Sequence, residues 1–354
     1  MPQPDRAITI GKRTLSDCDP CFIIAEIGVN HDGDLDIAHK MIDAAHECGA
    51  DAVKFQTFKT DANILRDAPK ADYQKRQTGD GTQFEMVQKL ELDFADFANL
   101  KQHCNTVGIE FLTTAFDAES LDFVISLAPS CLKWPSGEIN NLMLLRQAAK
   151  SQLPVLLSTG MASLAEVDRA LDELRGACDF AVMQCVSDYP ARLEDQNLRV
   201  LQTFAAAFNC PVGLSDHTLG QCAAIAARAL GMSVLEKHFT LDASGAGPDH
   251  AASMEPMEFK AMVETLRALE IGLGNGIKRP VDAELSTRAV ARKSLVYARD
   301  LAEGHTLTAG DLCAKRPGTG LAPDLVDLVI GRGLTRRVLA DAFVNLSDLG
   351  GSGE

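Results

Sequence analysis

Eight short runs rich in apolar and β-branched residues recur along the first part of the chain, and amphipathic segments separate most of them. The runs are Phe22–Gly28, Ala52–Phe58, Glu110–Phe116, Cys131–Gly137, Pro154–Gly160, Phe180–Val186, Pro211–His217 and Ser233–Phe239. Strands that alternate with helices form a parallel sheet with right-handed crossovers. Eight such units in about 240 residues is the size of a closed (β/α)8 TIM barrel. An open doubly wound sheet is the alternative, but no G-x-G-x-x-G motif follows the first run.

The segments between these runs show helical periodicity. Apolar residues share one face in Leu35–Cys48, Phe94–Val107, Leu164–Leu174, Leu198–Phe208 and Leu219–Leu230. One connection departs from this pattern, because clean periodicity after Phe58 resumes only near Leu90. A connection of that length is typical of a lid or a binding loop.

The chain changes in composition near residue 291. The whole net charge of −15 falls on residues 1–291, since the remainder holds eight basic and eight acidic residues. Before that point, the glycine-rich stretch 272–280 predicts a helix stop followed by a linker. We therefore expect a barrel domain over 1–275, a linker over 276–291 and a small, mostly β domain over 292–354. Short strands are predicted there at Lys293–Ala298 and Arg332–Val338.

Composition excludes several classes of protein. A net charge of −15 argues against a nucleic-acid binder, which needs a basic face. No run of 18 apolar residues is present, so we expect no membrane span. Ten cysteines are scattered singly, and residues 1–14 are polar and lack a secretory core. These features predict a cytoplasmic protein with buried thiols.

Polar side chains mark the ends of nearly all eight runs, which is where barrel enzymes place their chemistry. In chain order they are Glu26, Lys54, Gln56, Thr113, Thr114, Lys133, Ser136, Ser158, Thr159, Ser187, Tyr189, Ser215, His217, Glu236 and His238. A single polar residue in an apolar strand is usually a satisfied core group. Eight occurrences in register instead predict one active site.

Two subsets of these residues indicate different ligands. Lys54 and Lys133 lie within buried-looking strands, where an ammonium group needs an anionic partner. Together with the surrounding hydroxyls they suit a phosphate, a carboxylate or both on one molecule. His217 and His238, near Glu236 and Asp249, suit a divalent metal such as Mn, Zn or Fe. An acid–base pair and a purely structural role remain open for the two histidines.

Several stretches together resemble the bacterial sialic acid synthase family, which makes nine-carbon nonulosonic acids. The matching stretches are Ile24–Gly33, Val53–Gln56, Pro135–Glu138, Leu157–Met161, Gly213–Thr218, Glu236–Thr240 and Gly247–His250, with Arg292–Ser294 and Lys315–Gly320 in the tail. The resemblance covers about 20–346. It implies a barrel followed by an antifreeze-like (SAF, β-clip) domain, and it implies domain-swapped dimers.

The same resemblance implies a reaction and a set of roles. Phosphoenolpyruvate condenses with an N-acetylated hexosamine in the presence of Mn²⁺ or Mg²⁺. The residues implied for phosphoenolpyruvate are Lys54, Gln56, Thr114, Lys133, Ser136, Ser158, Ser187 and Ser215. The metal is assigned to His217 and His238, and the sugar to Glu26, Tyr189, Asp249 and Arg316. Glu26, both lysines and both histidines are the expected catalytic residues.

The sequence departs from the family at two places. Ser187 stands where some members have asparagine, and it can still donate one hydrogen bond. Trp134 replaces a smaller residue beside Lys133, and strand alternation predicts that its side chain points into the outer layer.

The sequence leaves the sugar open between N-acetylmannosamine and its 6-deoxy-2,4-diacetamido relative, which would yield N-acetylneuraminate or N,N'-diacetyllegionaminate. Pseudaminate synthesis, a metal-dependent barrel hydrolase and a Schiff-base aldolase that uses Lys54 or Lys133 are the alternatives. An ice-binding or sugar-binding role of the tail is disfavoured by its charged motif around Arg316.

Overall fold

The computed structural model describes residues 7–352 of the chain. These residues divide after Gly274 into two compact units. The first unit begins with a hairpin of two short strands, β1 (Ile8–Ile10) and β2 (Arg13–Leu15). The sequence analysis did not predict this hairpin.

Eight further strands of the first unit form one sheet. They are β3 (Phe22–Gly28), β4 (Ala52–Thr57), β5 (Glu110–Ala115), β6 (Leu132–Trp134), β7 (Val155–Ser158), β8 (Phe180–Cys185), β9 (Val212–Asp216) and β10 (Val234–His238). The hydrogen-bonded order is β5-β4-β3-β10-β9-β8-β7-β6, and every neighbouring pair is parallel. Strands β5 and β6 lie side by side, so the sheet curls into a nearly closed barrel. The predicted (β/α)8 architecture is confirmed.

Helices surround these strands and connect them. In chain order they are α1 (Leu35–Glu47), α2 (Thr60–Asn63), α3 (Asp72–Thr78), α4 (Gln83–Gln88), α5 (Phe94–Val107), α6 (Ala118–Ser126), α7 (Leu142–Lys150), α8 (Leu164–Asp172), α9 (Val200–Phe208), α10 (Cys222–Ala229) and α11 (Pro256–Leu273). The eight barrel strands, β3 to β10, all lie within the predicted runs. No helix among residues 7–352 is long and apolar enough to cross a membrane.

Strand alternation gives the barrel two apolar layers. Side chains such as Ile23, Val53 and Trp134 point outward and pack with the helices. The position of Trp134 confirms its prediction, and its indole Nε1 donates to the carbonyl of Glu138 at 2.9 Å. Inward-pointing side chains such as Phe22 fill the amino end of the barrel.

The hairpin closes that amino end. Ile8, Ile10 and Leu15 pack into the same buried cluster as the inward side chains of the strands. The bottom of the barrel is therefore a filled core, and the chemistry is confined to its carboxyl end.

The long connection between β4 and α5 contains three short helices, α2, α3 and α4. Lys70 braces it from within: its ammonium is buried and donates to Thr78 Oγ1 at 3.0 Å and to the carbonyls of Gly79 and Asp80 at 3.0 and 3.1 Å. These carbonyls follow the end of α3, where backbone acceptors lack helical partners. The connection is thus an ordered structure that carries its own hydrogen bonds.

The described part of the second unit, residues 275–352, contains one α-helix and four strands. Helix α12 (Asp282–Ala291) occupies most of the segment predicted as a linker and has no buried side chain. Strand β11 (Ser294–Tyr297) pairs with β12 (Leu312–Lys315), and β13 (Arg332–Leu334) pairs with β14 (Leu349–Ser352), both antiparallel.

The two strand pairs repeat one another. The Arg299 guanidinium binds Asp311 at the foot of the first pair, and Arg336 binds Asp348 in the same way at the foot of the second. The separation is twelve residues in both cases. Both aspartates are buried, so each must be satisfied by its arginine and by local donors.

Candidate active site

A cavity of about 460 Å³ opens at the carboxyl ends of the barrel strands. Thirteen of the fourteen predicted site residues line it, namely Glu26, Lys54, Gln56, Thr114, Lys133, Ser136, Ser158, Ser187, Tyr189, Ser215, His217, His238 and Asp249. They come from all eight strands or from the turns that follow them. Because parallel strands end at the same rim, residues far apart in sequence converge on one volume.

Two buried ammonium groups form the floor of the cavity. Lys54 on β4 donates to Thr114 Oγ1 at 3.1 Å and lies 2.9 Å from Glu26 Oε1. Lys133 on β6 donates to Ser158 Oγ at 2.8 Å. Both lysine side chains are at most 5% exposed, so their charges are held by protein groups and not by bulk water.

Glu236 on β10 connects the two lysines, a role that the sequence analysis missed. Its Oε1 lies 3.4 Å from Lys133 Nζ, and its Oε2 lies 3.8 Å from Lys54 Nζ. The hydroxyl of Ser215 donates to Oε1 at 2.9 Å. The sequence does contain a signal for this role of Glu236. Glu236 stands two residues before His238 on one strand, so both side chains point into the barrel.

The ionisation of this triad follows from burial and mutual charge. Burial alone raises the pKa of Glu236, but Lys133 and Lys54 outweigh it, and the net shift is downward. Burial lowers the pKa of Lys54, but Glu236 and Glu26 reverse the direction. For Lys133 burial prevails, and its pKa stays below the usual lysine value although Glu236 opposes the shift. Of the two lysines, Lys133 is therefore the easier to deprotonate.

The carboxyl group of Glu26, on β3, has one oxygen that faces Lys54 and one oxygen without a hydrogen bond. Burial raises the pKa of its carboxyl to about 7, against the opposing charge of Lys54. Its Oε1 accepts from Gln56 Nε2 at 3.2 Å as well as facing Lys54. Its Oε2 is buried and has no hydrogen bond. A carboxyl with such a pKa can hold or release a proton near neutral pH.

The positions of the Ser136 and Ser187 hydroxyls depend on Gly160. The backbone N–H of Gly160, which follows β7, donates to Ser136 Oγ at 2.8 Å. A Cβ atom on Gly160 would overlap the Ser187 hydroxyl and would lie 2.8 Å from Ser136 Oγ. Gly160 therefore leaves the space in which these two serine hydroxyls converge.

Two imidazoles and a phenol ring lie close together in the site. The rings of His217 and His238 lie 5.2 Å apart, and Tyr189 lies 4.1 Å from the first and 5.5 Å from the second. His217 donates from Nδ1 to the carbonyl of Val186 at 2.6 Å, because a carbonyl can only accept. This leaves the Nε2 lone pair of a neutral His217 available.

His238 is neutral and has an unused ring nitrogen. Burial lowers its pKa well below the ordinary histidine value, and His217 adds to the shift. Its Nδ1 is buried without a hydrogen-bond partner. A neutral imidazole with a free nitrogen is the form of histidine that binds metals.

These two imidazoles fit a divalent cation as partial ligands. Among residues 7–352, no group of three or more His, Cys, Asp or Glu side chains is arranged to hold a metal. A cation at His217 and His238 would therefore keep open positions for water or substrate, as catalytic sites do.

The cavity also holds Asp249 and an aromatic pair, of which the sequence analysis assigned Tyr189 but not Tyr73. Tyr73, on α3 of the long connection, lies 4.9 Å from the Tyr189 ring. Burial raises the pKa of Asp249 to about 6. No pattern within α3 singles out Tyr73, since its neighbour Tyr189 is more than one hundred residues away in the sequence.

Arg316 belongs to the second unit, where it is exposed at the start of a braced turn. Ser294 on β11 donates to the carbonyl of Pro317 at 2.7 Å and accepts from the N–H of Gly320 at 2.9 Å. One hydroxyl thus joins the two tail motifs that the sequence analysis matched separately. Its proposed role over a sugar stays a prediction.

Comparison with known families assigns both units. The NeuB family profile matches residues 41–278, and the SAF domain profile matches residues 292–350. The chain belongs to the NeuB family. This NeuB-family chain is 46% identical over 327 residues to the N,N'-diacetyllegionaminic acid synthase of Legionella pneumophila, covering 90% of the chain and 92% of that protein. It is 42% identical to the synthase of the same name from Campylobacter jejuni, covering 91% and 98%.

A solved structure agrees with this membership. The N-acetylneuraminic acid synthetase of Leptospira borgpetersenii, in complex with citrate, matches the NeuB-family chain with a TM-score of 0.70 and 33% identity. The match covers 79% of this chain and 94% of the other. The family resemblance stated from the motifs and the predicted SAF domain are both confirmed.

Proposed function

We propose that this protein condenses phosphoenolpyruvate with an N-acetylated hexosamine, forming a nonulosonic acid and phosphate. The observation that carries the proposal is the convergence of Lys54 and Lys133 on one carboxylate, within a ring of hydroxyls, in a NeuB-family barrel. This makes the protein a carbon–carbon bond-forming transferase. The legionaminic acid synthases at 42–46% identity favour N,N'-diacetyllegionaminate as the product.

The cationic floor suits the phosphate and carboxylate of phosphoenolpyruvate. Two ammonium groups supply charge, and Gln56, Thr114, Ser136, Ser158, Ser187 and Ser215 supply neutral hydrogen-bond groups around it. Donors fixed by the strands stabilise charge without reorganising during the reaction. Lys54 and Lys133 therefore act electrostatically and form no bond to substrate.

His217 and His238 are the residues that would hold the cation. When bound, Mn²⁺ or Mg²⁺ supplies Lewis-acid polarisation of the aldehyde oxygen of the open-chain hexosamine. The Nδ1 hydrogen bond of His217 to Val186 fixes the tautomer and aims Nε2 at the cavity. His238 contributes its unpartnered nitrogen without first losing a proton.

Glu26 is the residue that moves a proton in this proposal. The methylene carbon of phosphoenolpyruvate attacks the sugar aldehyde, and water then adds to the second carbon of the former enol. Glu26 accepts one proton of that water at Oε2 and passes it to the alkoxide formed from the aldehyde. The new hydroxyl of the tetrahedral intermediate gives its proton to the phosphate, which leaves as the C–O bond breaks. Asp249 and Tyr189 orient the sugar beside it.

Two other reactions can be distinguished from the proposed condensation by experiment. A Schiff-base aldolase would use Lys133, whose lowered pKa is the observation in its favour. Trapping with borohydride and the carbonyl substrate would then label Lys133, whereas the electrostatic role predicts no adduct. Pseudaminate synthesis shares the chemistry and differs in the stereochemistry of the sugar, so it is tested by the choice of hexosamine.

We further propose a domain-swapped homodimer in the cytoplasm. Helix α12 exposes the apolar side chains of Leu285 and Val290, with Val281 just before it, which a partner subunit would cover. The braced turn at Arg316 would then complete the sugar site of the other barrel. Six of the ten cysteines are buried, as expected for a reducing compartment.

The test is phosphate release from phosphoenolpyruvate by the purified full-length protein, with each candidate hexosamine. Release should require both the hexosamine and Mn²⁺ or Mg²⁺, and EDTA should abolish it. Release without any hexosamine, or turnover that resists EDTA in protein free of metal by elemental analysis, would contradict the proposal.

A further inference from the structure

A fully buried ion pair lies directly behind the two histidines of the site. The ammonium of Lys237 donates to Asp216 Oδ2 at 2.8 Å, and both side chains are 0% exposed. Lys237 stands immediately before His238 on β10, and Asp216 stands immediately before His217 at the end of β9. By strand alternation the pair points away from the cavity into which the histidines point. Neither member of the pair lines the cavity or takes part in the proposed reaction.

Apolar residues occupy the neighbouring positions on this outer face. Leu214 precedes Asp216 on the same face of β9, and Leu235 and Phe239 flank Lys237 on that of β10. Two charges buried in such a layer carry a large desolvation cost, and an apolar pair of similar volume often stabilises a fold equally well or better. Packing alone therefore does not explain why these two positions are charged.

The ion pair also holds the turn that carries His217. Asp216 Oδ1 accepts from the backbone N–H and from the hydroxyl of Thr218, both at 2.8 Å. The ammonium of Lys237 donates to the carbonyl of Thr218. The paired positions of β9 and β10 end at Asp216 and Lys237, so both histidines lie beyond the last pair of this ladder. These contacts therefore join the two strands at the point where the ladder no longer does.

The two imidazoles differ in how they are held. Nδ1 of His217 is fixed by the carbonyl of Val186, whereas Nδ1 of His238 is buried and, among the described residues, has no hydrogen-bond partner. The His238 ring is therefore placed mainly by its own strand. Because a site with two protein ligands has no third ligand to correct an error in their spacing, its affinity for a cation depends on how firmly the rings are held.

We propose, resting on the metal site proposed above, that Asp216, Lys237 and Thr218 form a clamp that holds His217 and His238 at the spacing a divalent cation needs. The two ring centroids are 5.2 Å apart in this arrangement. Asp216 and Lys237 are positioning residues, because they act on the cation only through the adjacent histidines. Loss of the clamp allows the ends of β9 and β10 to move independently, so it weakens metal binding more than it weakens the fold.

The experiment measures the Kd for Mn²⁺ of the full-length protein from the electron paramagnetic resonance signal of free Mn²⁺. The double variant Asp216→Asn/Lys237→Met removes both charges and keeps an amide oxygen that can accept from Thr218. We expect its Kd to be roughly 10- to 100-fold above the wild-type value, which is the loss typical of outer partners that orient metal ligands. Its thermal unfolding midpoint, measured by circular dichroism, should change little, because no unpaired charge is left buried.

Arg228 and Glu270 supply the matched control. They form a second buried ion pair, with 3.1 Å between Arg228 Nε and Glu270 Oε1. Arg228 also donates to the carbonyls of Asp19 and Met232, which precede β3 and β10, so this pair lies at the amino end of the barrel. Arg228→Met/Glu270→Gln should leave the Kd for Mn²⁺ unchanged, even if it lowers the unfolding midpoint.

The outcomes separate the clamp from the metal site itself. If the wild type does not bind Mn²⁺, or binds it as tightly after His217→Ala, the proposed metal site fails. If His217→Ala abolishes binding but Asp216→Asn/Lys237→Met keeps the wild-type Kd, the site stands and the clamp is refuted. Equal weakening in Arg228→Met/Glu270→Gln also refutes the clamp.

A milder variant covers the case in which Asp216→Asn/Lys237→Met does not fold. Thr218→Val keeps the side-chain shape and removes only the hydroxyl that donates to Asp216. It should still weaken Mn²⁺ binding several-fold, since the turn after His217 loses one of its contacts with the clamp. A wild-type Kd in Thr218→Val would then refute the clamp.

Discussion

Oε1 of Glu236 and Nζ of Lys133 lie 3.4 Å apart, and the same carboxylate faces Lys54. Glu236 is therefore a counter-ion that both lysines share, and Glu26 is a second one at Lys54. Glu236→Gln removes this support, and Lys133, whose pKa is already lowered by burial, should deprotonate more readily. Because a lysine becomes neutral as pH rises through its pKa, the KM for phosphoenolpyruvate should increase as pH rises, and it should do so at lower pH in the variant than in the wild type.

The measurement is KM against pH for the wild type and the variant. Glu258→Gln, on helix α11, is the control for loss of an exposed carboxylate. A variant whose KM profile is parallel to that of the wild type would show that Glu236 does not maintain the charge of Lys133.

A second prediction concerns the pH profile set by Glu26. Its raised pKa of about 7 means that the proton-accepting carboxylate form increases as pH rises through that value. The wild-type kcat/KM should therefore rise between pH 6 and 8, since this parameter reports the free enzyme. Glu26→Gln should lose roughly 10²- to 10⁴-fold in kcat and lose this limb. If the rising limb persists in Glu26→Gln, another group is the base.

The fold was predictable because barrel strands leave a strong local signal. All eight runs contain their strands, and β3 has its predicted bounds. The hairpin of β1 and β2 was missed because strands of three residues are too short to show alternation. Helix α12 was missed because the glycine-rich stretch 272–280 before it predicts a helix stop followed by a linker.

The sequence predicts which residues line the candidate site, but it does not predict which of them contact one another. Strand ends point to Lys54 and Lys133, but only the closed sheet shows that Glu236 reaches both. Tyr73, Val87 and Leu90 come from the long connection, whose short helices lack a clear period. Their convergence on Tyr189 and Phe58 is a product of tertiary structure.

A third prediction uses two glycines beside the same cavity. Gly160→Ala places a methyl group against the Ser187 and Ser136 hydroxyls, so it should raise the KM for phosphoenolpyruvate roughly 10- to 100-fold, because small displacements at a site are costly. Gly137→Ala is the matched control, since a Cβ there meets nothing within 4 Å. The measurement is the steady-state KM for phosphoenolpyruvate of both variants. Equal effects of the two substitutions would mean that the serines are not held as described.

A fourth prediction tests whether Arg316 acts across subunits. Arg316→Ala should reduce kcat/KM for the hexosamine roughly 10- to 150-fold, since a hydrogen bond from a charged donor is lost. Mixing it with His217→Ala, under conditions in which subunits exchange, creates a barrel with both histidines served by an intact arginine. Activity should exceed that of either parent. No recovery, although heterodimers are shown to form, would place the arginine on its own barrel.

The most direct test of the central claim is mass spectrometry of the products formed from phosphoenolpyruvate with ¹⁸O in its bridging oxygen. We expect a keto acid with three more carbons than the hexosamine, and we expect all of the label in phosphate, because the C–O bond breaks. Label retained in the keto acid, or pyruvate and phosphate formed without a new carbon–carbon bond, would contradict it.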